Sequence, residues 1–185
     1  MAKRDGKGTY RLFEPEMHAG VLDRLELRQD LQRAIGEDQF ELDYQPLIRL
    51  ADGSVSGVEA LVRWRHPERG LLGPNWFIPL AEETGMIVDL GQWVVGEACR
   101  EAVRMQAAHE GDKPLTISVN LSLKQLQHAD CVEHVKSALD ESGLDPSTLI
   151  LEITETLMMT DPDLAVQRLA DLKALGVGLS MDDFG

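Results

Sequence analysis

The sequence predicts an α/β fold: a largely parallel β-sheet with helices packed outside it. Two observations carry this expectation. From about residue 115 to residue 185, strand-like and helix-like runs alternate as strand, helix, strand, helix, strand, a pattern that forces parallel strands joined by helical crossovers. Ahead of that block, two strand-like runs are separated only by a short Asp52-Gly53 turn, which makes them antiparallel neighbours. The 185 residues suit one domain, with or without a short tail.

The elements follow in order. Residues 1 to about 20 are polar, with Pro15 and scattered glycines, and are expected to be a linker or the end of something upstream. Gly6-Lys7-Gly8-Thr9 lacks the spacing of a phosphate loop, and no strand precedes it. Leu27, Leu31, Ala34 and Ile35 form one helical stripe, stopped by Gly36. Phe40 to Ile48 alternates as a strand, and Val55 to Trp64 is its partner. Pro74 opens a helix that runs to Gly85. Leu90, Val94, Ala98, Ala102 and Met105 mark a longer helix. Leu115 to Leu121 is a strand, and Val132, Val135 and Leu139 define a helix ended near Gly143. Leu149 to Ile153 is a strand, Asp161-Pro162 opens a helix reaching Gly176, and Gly178 to Asp182 is the last strand.

Bulk properties narrow the function. The formal net charge of −14 argues against non-specific binding to DNA or RNA, which needs clustered Lys and Arg. Carboxylates that hold divalent metal ions can nevertheless present a positive face to phosphate. No stretch approaches an unbroken membrane-spanning run. Met1 to Gly8 is polar with no apolar segment behind it, unlike a secretory signal, so a cytoplasmic location is expected. Cys99 and Cys131 have no metal-type spacing and read as buried reduced thiols. His66 precedes Pro67 in a polar stretch and reads as a surface residue.

Strands of a parallel sheet are usually apolar on both faces, so polar residues near their carboxyl ends stand out. Four strands carry one: Glu59, Asn120, Glu152 and the pair Asp182-Asp183. Sites on α/β folds gather at those ends, and carboxylates with an amide are the oxygen donors that Mg²⁺ or Mn²⁺ takes. Each residue also has a plainer reading. Glu59 could pair with Arg63 on its own strand face. Asn120 could bond to a loop backbone, and Asp182-Asp183 could be a turn and a helix cap. Glu152, set among Ile150, Leu151 and Ile153, is the hardest to explain without a partner, because an unpaired buried carboxylate costs several kcal/mol.

Six ordered blocks over Asp43 to Gly185 resemble the EAL family. They are Tyr44-Gln45-Pro46, Glu59-Ala60-Leu61-Val62-Arg63-Trp64, Phe77-Ile78-Pro79-Leu80-Ala81-Glu82, Ser118-Val119-Asn120-Leu121-Ser122, Leu151-Glu152-Ile153-Thr154-Glu155 and Asp182-Asp183-Phe184-Gly185. The resemblance implies a modified TIM-type (β/α) barrel with an antiparallel first strand. It also implies two-metal hydrolysis of cyclic di-GMP to linear pGpG with Mg²⁺ or Mn²⁺. By that likeness Glu59, Asn120, Glu152 and Asp182 are metal ligands, and Asp183 joins the second metal. Arg63 meets a substrate phosphate, Gln45 and Leu61 line the substrate site, and Glu155 braces the loop that begins at Asp183.

The family pattern continues beyond Gly185 with a Lys, further acids and a Gln. The expectation is therefore a barrel truncated before closure, inactive alone, from an active parent. Ala2 to Arg11 is similar to the closing segment of GGDEF domains, which gives residues 1–20 as the tail of an upstream GGDEF-like module and 21–185 as the N-terminal part of an EAL domain. A homodimer through barrel helices and an upstream GGDEF or sensor domain are further expectations. The alternative to an enzyme is a module that binds cyclic di-GMP without cleaving it. That every expected ligand up to Asp183 is in place favours the enzyme.

Overall fold

The computed structural model describes residues 15–111, 113–154 and 162–182, with side chains described from Asp23 to Ile153 (Asp112 excepted) and from Leu164 to Met181. The strands are β1 (Phe40–Ile48), β2 (Val55–His66), β3 (Gly70–Leu72), β4 (Thr116–Leu121), β5 (Leu149–Thr154) and β6 (Gly178–Asp182). The helices are α1 (Pro15–Ala34), α2 (Pro74–Thr84), α3 (Ile87–Ala108), α4 (Leu123–Gln127), α5 (Cys131–Ser142) and α6 (Pro162–Ala174).

The sheet runs β1-β2-β4-β5-β6, with β3 added to the end of β2. β1 is antiparallel to β2, and β2, β4, β5 and β6 are mutually parallel. Among the described residues β1 and β6 are not paired, so the sheet is open. This is the expected fold, a mixed α/β sheet with an antiparallel first strand and no closure.

Alternation along the strands separates two faces. Val58, Ala60 and Trp64 of β2, Ile117, Val119 and Leu121 of β4, and Leu149, Leu151 and Ile153 of β5 are all buried. The registers Ala60↔Val119 and Val119↔Leu151 align them on one face. That face is covered by Phe77 and Leu80 of α2, Leu90 and Ala98 of α3, Leu139 of α5 and Leu172 of α6. Phe40, Trp64 and Phe77 form an aromatic cluster there, with ring centroids 5.8–5.9 Å apart. Among the described residues the other face has no helix over it, and it carries Glu59, Asn120 and Glu152.

Two close approaches fix the layers. A Cβ on Gly57 would lie 2.5 Å from the Thr116 carbonyl oxygen, so only glycine lets β2 run this near β4. A Cβ on Gly91 would meet the Gln125 amide, so α3 and α4 touch through a glycine.

One expectation is overturned, and three features were not anticipated. Residues 15–20, for which no helix was expected, form the first turns of α1. The strand β3 and the helix α4 were not expected; α4 is held by a capping box in which Ser122 and Gln125 bond reciprocally. His66 is buried rather than on the surface. Its Nδ1 accepts the amide N–H groups of Glu68 and Arg69, and its Nε2 faces Asp30 of α1 at 3.1 Å. With Nδ1 accepting, the proton sits on Nε2 and is donated to Asp30. Burial alone would raise the Asp30 pKa, but bonds from Arg33 and His66 outweigh it and hold the carboxyl below its usual value. The ion pairs Arg69–Asp23 at 2.6 Å and Arg24–Glu83 at 2.5 Å also fasten α1 to the β2–β3 turn and to α2.

Cys99 and Cys131 are buried free thiols as expected. Desolvation pushes each up to about 11. No described helix is long and apolar enough to cross a membrane.

Candidate functional site

The uncovered face of the sheet is built by register. Glu59 of β2 pairs with Ser118 of β4, and Asn120, two residues on, keeps the parity of Ser118. Asn120 pairs with Glu152 of β5, and Glu152 pairs with Ser180 of β6. Paired residues of parallel strands face the same way, so Glu59, Asn120 and Glu152 share one face near the carboxyl ends of their strands. The position of Asp182 in β6, opposite Thr154, has the parity of Ser180. The side chain of Asp182, together with Asp183 and Glu155, lies outside the described residues.

The side chains meet as well as align. Asn120 Nδ2 donates to Glu59 Oε1 at 2.9 Å. Neither plainer reading of these two residues holds: Glu59 does not pair with Arg63, and Asn120 bonds a carboxylate rather than a loop backbone. With Nδ2 engaged, the free acceptor of the amide is Oδ1. Glu152 is half-buried, and Leu151 and Ile153 point to the opposite, helix-covered face. The apolar setting expected for Glu152 is therefore only its sequence neighbours, not its surroundings. Among the described residues no group of three His, Cys, Asp or Glu side chains is placed to hold a metal ion; the described donors are the Glu59 carboxylate bonded to the Asn120 amide and the Glu152 carboxylate on the next strand in register with Asn120. As hard oxygen donors on one face they fit a divalent cation.

The rest of this face comes from the β1–β2 hairpin. Gln45 stands opposite Glu59, Asp43 opposite Leu61, and Glu41 opposite Arg63. Arg63 Nε forms an ion pair with Asp43 Oδ2 at 2.8 Å, and its Nη1 donates to the Val62 carbonyl at 3.0 Å. Asp43 was not among the residues singled out from sequence. Counting back from a two-residue Asp52-Gly53 turn would pair Gln45 with Ala60 on the opposite face; the register irregularity between Leu47 and Ile48 is part of what brings Glu41, Asp43 and Gln45 onto the strand face of Glu59 and Arg63. Beside Leu61 and Asn120 opens a cleft of 620 Å³, walled by Ile78, Pro79, Glu82 and Leu123. The structure thus brings Gln45, Glu59, Leu61, Arg63, Asn120 and Glu152 onto one surface.

The EAL domain model matches residues 28–185. The Pseudomonas aeruginosa protein MucR, described as a bifunctional diguanylate cyclase/cyclic di-GMP phosphodiesterase, is 46% identical over 184 residues, covering 100% of this chain and 27% of that protein. The cyclic di-GMP phosphodiesterase NbdA of the same organism is 42% identical over 184 residues, covering 100% of this chain and 23% of NbdA. Among solved structures, the PaMucR phosphodiesterase in complex with c-di-GMP has a TM-score of 0.80 at 47% identity, covering 86% of this chain and 64% of that one. The EAL enzyme Bd1971, bound to cAMP and cyclic-di-GMP, has a TM-score of 0.79 at 30% identity, covering 92% and 48%. This chain therefore spans about a quarter of the curated relatives it matches. With the match running over nearly all of the described sheet and its helices, the chain belongs to the EAL domain family.

Proposed function

We propose that the protein carrying this chain hydrolyses cyclic di-GMP to linear pGpG, using divalent Mg²⁺ or Mn²⁺ on the uncovered face of the sheet. The observation that carries the reading is the Glu59–Asn120–Glu152 row, set across three parallel strands and tied by the Asn120–Glu59 bond. The solved relatives bound to c-di-GMP support the choice of substrate.

Glu59, Asn120 and Glu152 would hold the metal through carboxylate oxygens and the amide Oδ1, with Asp182 and Asp183 completing a two-ion site. A bound pair of divalent ions supplies an activated water and neutralises charge on the leaving oxygen. The remaining residues bind and orient. Arg63 meets a phosphate oxygen with its guanidinium. Leu61 and Gln45 line the site on either side of Glu59, with Leu61 at the cleft, and Glu155 braces the loop at Asp183. In the reaction the water oxygen joins phosphorus, the ribose 3′ oxygen leaves, and one phosphodiester bond of the ring opens. Residues 1–20 are assigned to the end of an upstream GGDEF-like module, which suits the two activities in the name of MucR.

The test is conversion of c-di-GMP to pGpG by the natural protein that contains this chain, with Mg²⁺, with Mn²⁺ and with chelator. Metal-dependent pGpG formation, abolished in Glu59→Gln, is the expected result. Tight c-di-GMP binding without any turnover would instead favour a non-catalytic binding module.

A further inference from the structure

Arg63 is not a free arginine waiting for a ligand. Its side chain is about one-fifth exposed, its Nε is engaged by Asp43 Oδ2 at 2.8 Å, and its Nη1 by the Val62 carbonyl at 3.0 Å. Among the described residues its Nη2 meets no protein acceptor. Asp43 is half exposed and sits on β1 directly across from Leu61, one diagonal step from Arg63. On an antiparallel pair such a diagonal lies within reach of long side chains.

From this geometry we infer that Asp43 is a positioning residue for Arg63. The inference rests on the functional reading above, in which Arg63 takes a phosphate of the substrate. A guanidinium held at Nε and Nη1 keeps one planar orientation, with Nη2 left to donate to an anion. The rotamer freedom of Arg63 is given up on folding rather than on binding, and ordering it beforehand strengthens binding. Asp43 also places a negative charge near an anionic ligand, which opposes binding. The two effects make opposite predictions for removal of the side chain, and the charge can be separated from the contact. Asn at this position keeps the shape and a polar oxygen beside Nε but carries no charge, whereas Ala removes both.

The experiment compares Asp43→Asn, Asp43→Ala, Arg63→Ala and the double variant Asp43→Ala/Arg63→Ala in the natural protein that contains this chain. Affinity for c-di-GMP is measured by calorimetry with Ca²⁺ in place of the activating ion, KM and kcat with Mg²⁺, and the unfolding midpoint of each variant. The expected result is that Asp43→Ala weakens binding about three- to tenfold, the loss from freeing one rotamer-rich side chain. The change appears in KM more than in kcat, the unfolding midpoint barely moves, and Asp43→Asn stays within about twofold of wild type by the same reasoning. In the Arg63→Ala background, adding Asp43→Ala has no further effect, the non-additivity of two groups that act as a unit. Tighter binding in both Asp43 variants would make the carboxylate an electrostatic brake and overturn the positioning role, as would unchanged binding in Asp43→Ala. A wild-type protein that does not bind c-di-GMP would sink the functional reading itself. Normal wild-type binding with an indifferent Asp43→Ala variant sinks only this inference.

Discussion

Asn120 and Glu59 stand on neighbouring parallel strands, and the Asn120 amide donates to the Glu59 carboxylate at 2.9 Å. The bond ties the strand that carries the hairpin residues to the strand that leads toward Glu152. It also sets the amide so that its remaining acceptor, Oδ1, faces outward from the pair. Because Asn120 is exposed, replacing it disturbs little packing. Asn120→Ala in the natural protein is expected to lower Mn²⁺ affinity by on the order of tenfold or more while leaving the unfolding midpoint nearly unchanged. Isothermal titration with Mn²⁺ and a thermal melt on the same sample check this, and unchanged Mn²⁺ affinity would remove Asn120 from the ligand set.

Gly57 lies two residues before Glu59 and pairs with Thr116 of β4. A methyl group there would sit 2.5 Å from the Thr116 carbonyl oxygen, so the strands must part to accept it. Gly57→Ala is expected to destabilise the fold by about 2–3 kcal/mol, in the range of an overpacked core site. Urea unfolding measures that loss. Any properly folded fraction should also show weakened metal binding, because a shift of β2 moves Glu59 away from Asn120.

The Asp30–His66 pair links α1 to the end of β2. Folding lowers the Asp30 pKa. A lowered carboxylate pKa means that the folded state binds fewer protons, so the stability it adds is full above the unfolded value of about 3.9. That contribution is lost as pH falls below this value and through the folded-state pKa. Asp30→Asn should therefore be less stable than wild type at neutral pH, with the difference shrinking as pH is lowered below about 4. Urea midpoints taken from pH 7 down to pH 3 test it; a difference that grows on acidification would show the sign to be wrong.

The two imidazole nitrogens of His66 have separable jobs. His66→Asn keeps an acceptor near Nδ1 for the Glu68 and Arg69 amides but drops the contact with Asp30. His66→Gln can still reach Asp30 but abandons the two amides. The loss in His66→Gln is expected to be the larger, since two part-buried amide donors lose their shared acceptor, each bond contributing about 0.5–1.5 kcal/mol. Chemical denaturation of both variants provides the comparison, and equal losses would count against it.

Residues 1–185 made as an isolated polypeptide are expected to show little pGpG formation and a tendency to associate. The described sheet is open at β1 and β6, and unpaired strand edges promote association. Size-exclusion chromatography and a c-di-GMP turnover assay, run beside the natural protein that contains this chain, decide the matter. A monomeric polypeptide with comparable turnover would show that the catalytic groups are complete within these residues.

The sequence by itself determined the order and type of most elements, because strand and helix periods are local properties of the chain. It also marked Glu59, Asn120 and Glu152, since a polar residue at a fixed place in an apolar strand is visible without any fold. The short elements escaped it: β3 has three residues and α4 five, too few for a period to register. What only the tertiary structure decided were the pairings between distant segments. Glu59 turned from a same-strand partner, Arg63, to Asn120 on the next strand, and Arg63 turned to Asp43 across the hairpin. His66 went inward because α1 brought Asp30 against it. Each choice depends on strand register and on helix docking, which place side chains within about 3 Å of each other. A chain read one residue after another holds the candidates for such contacts, but the packing of the covered face decides which of them meet.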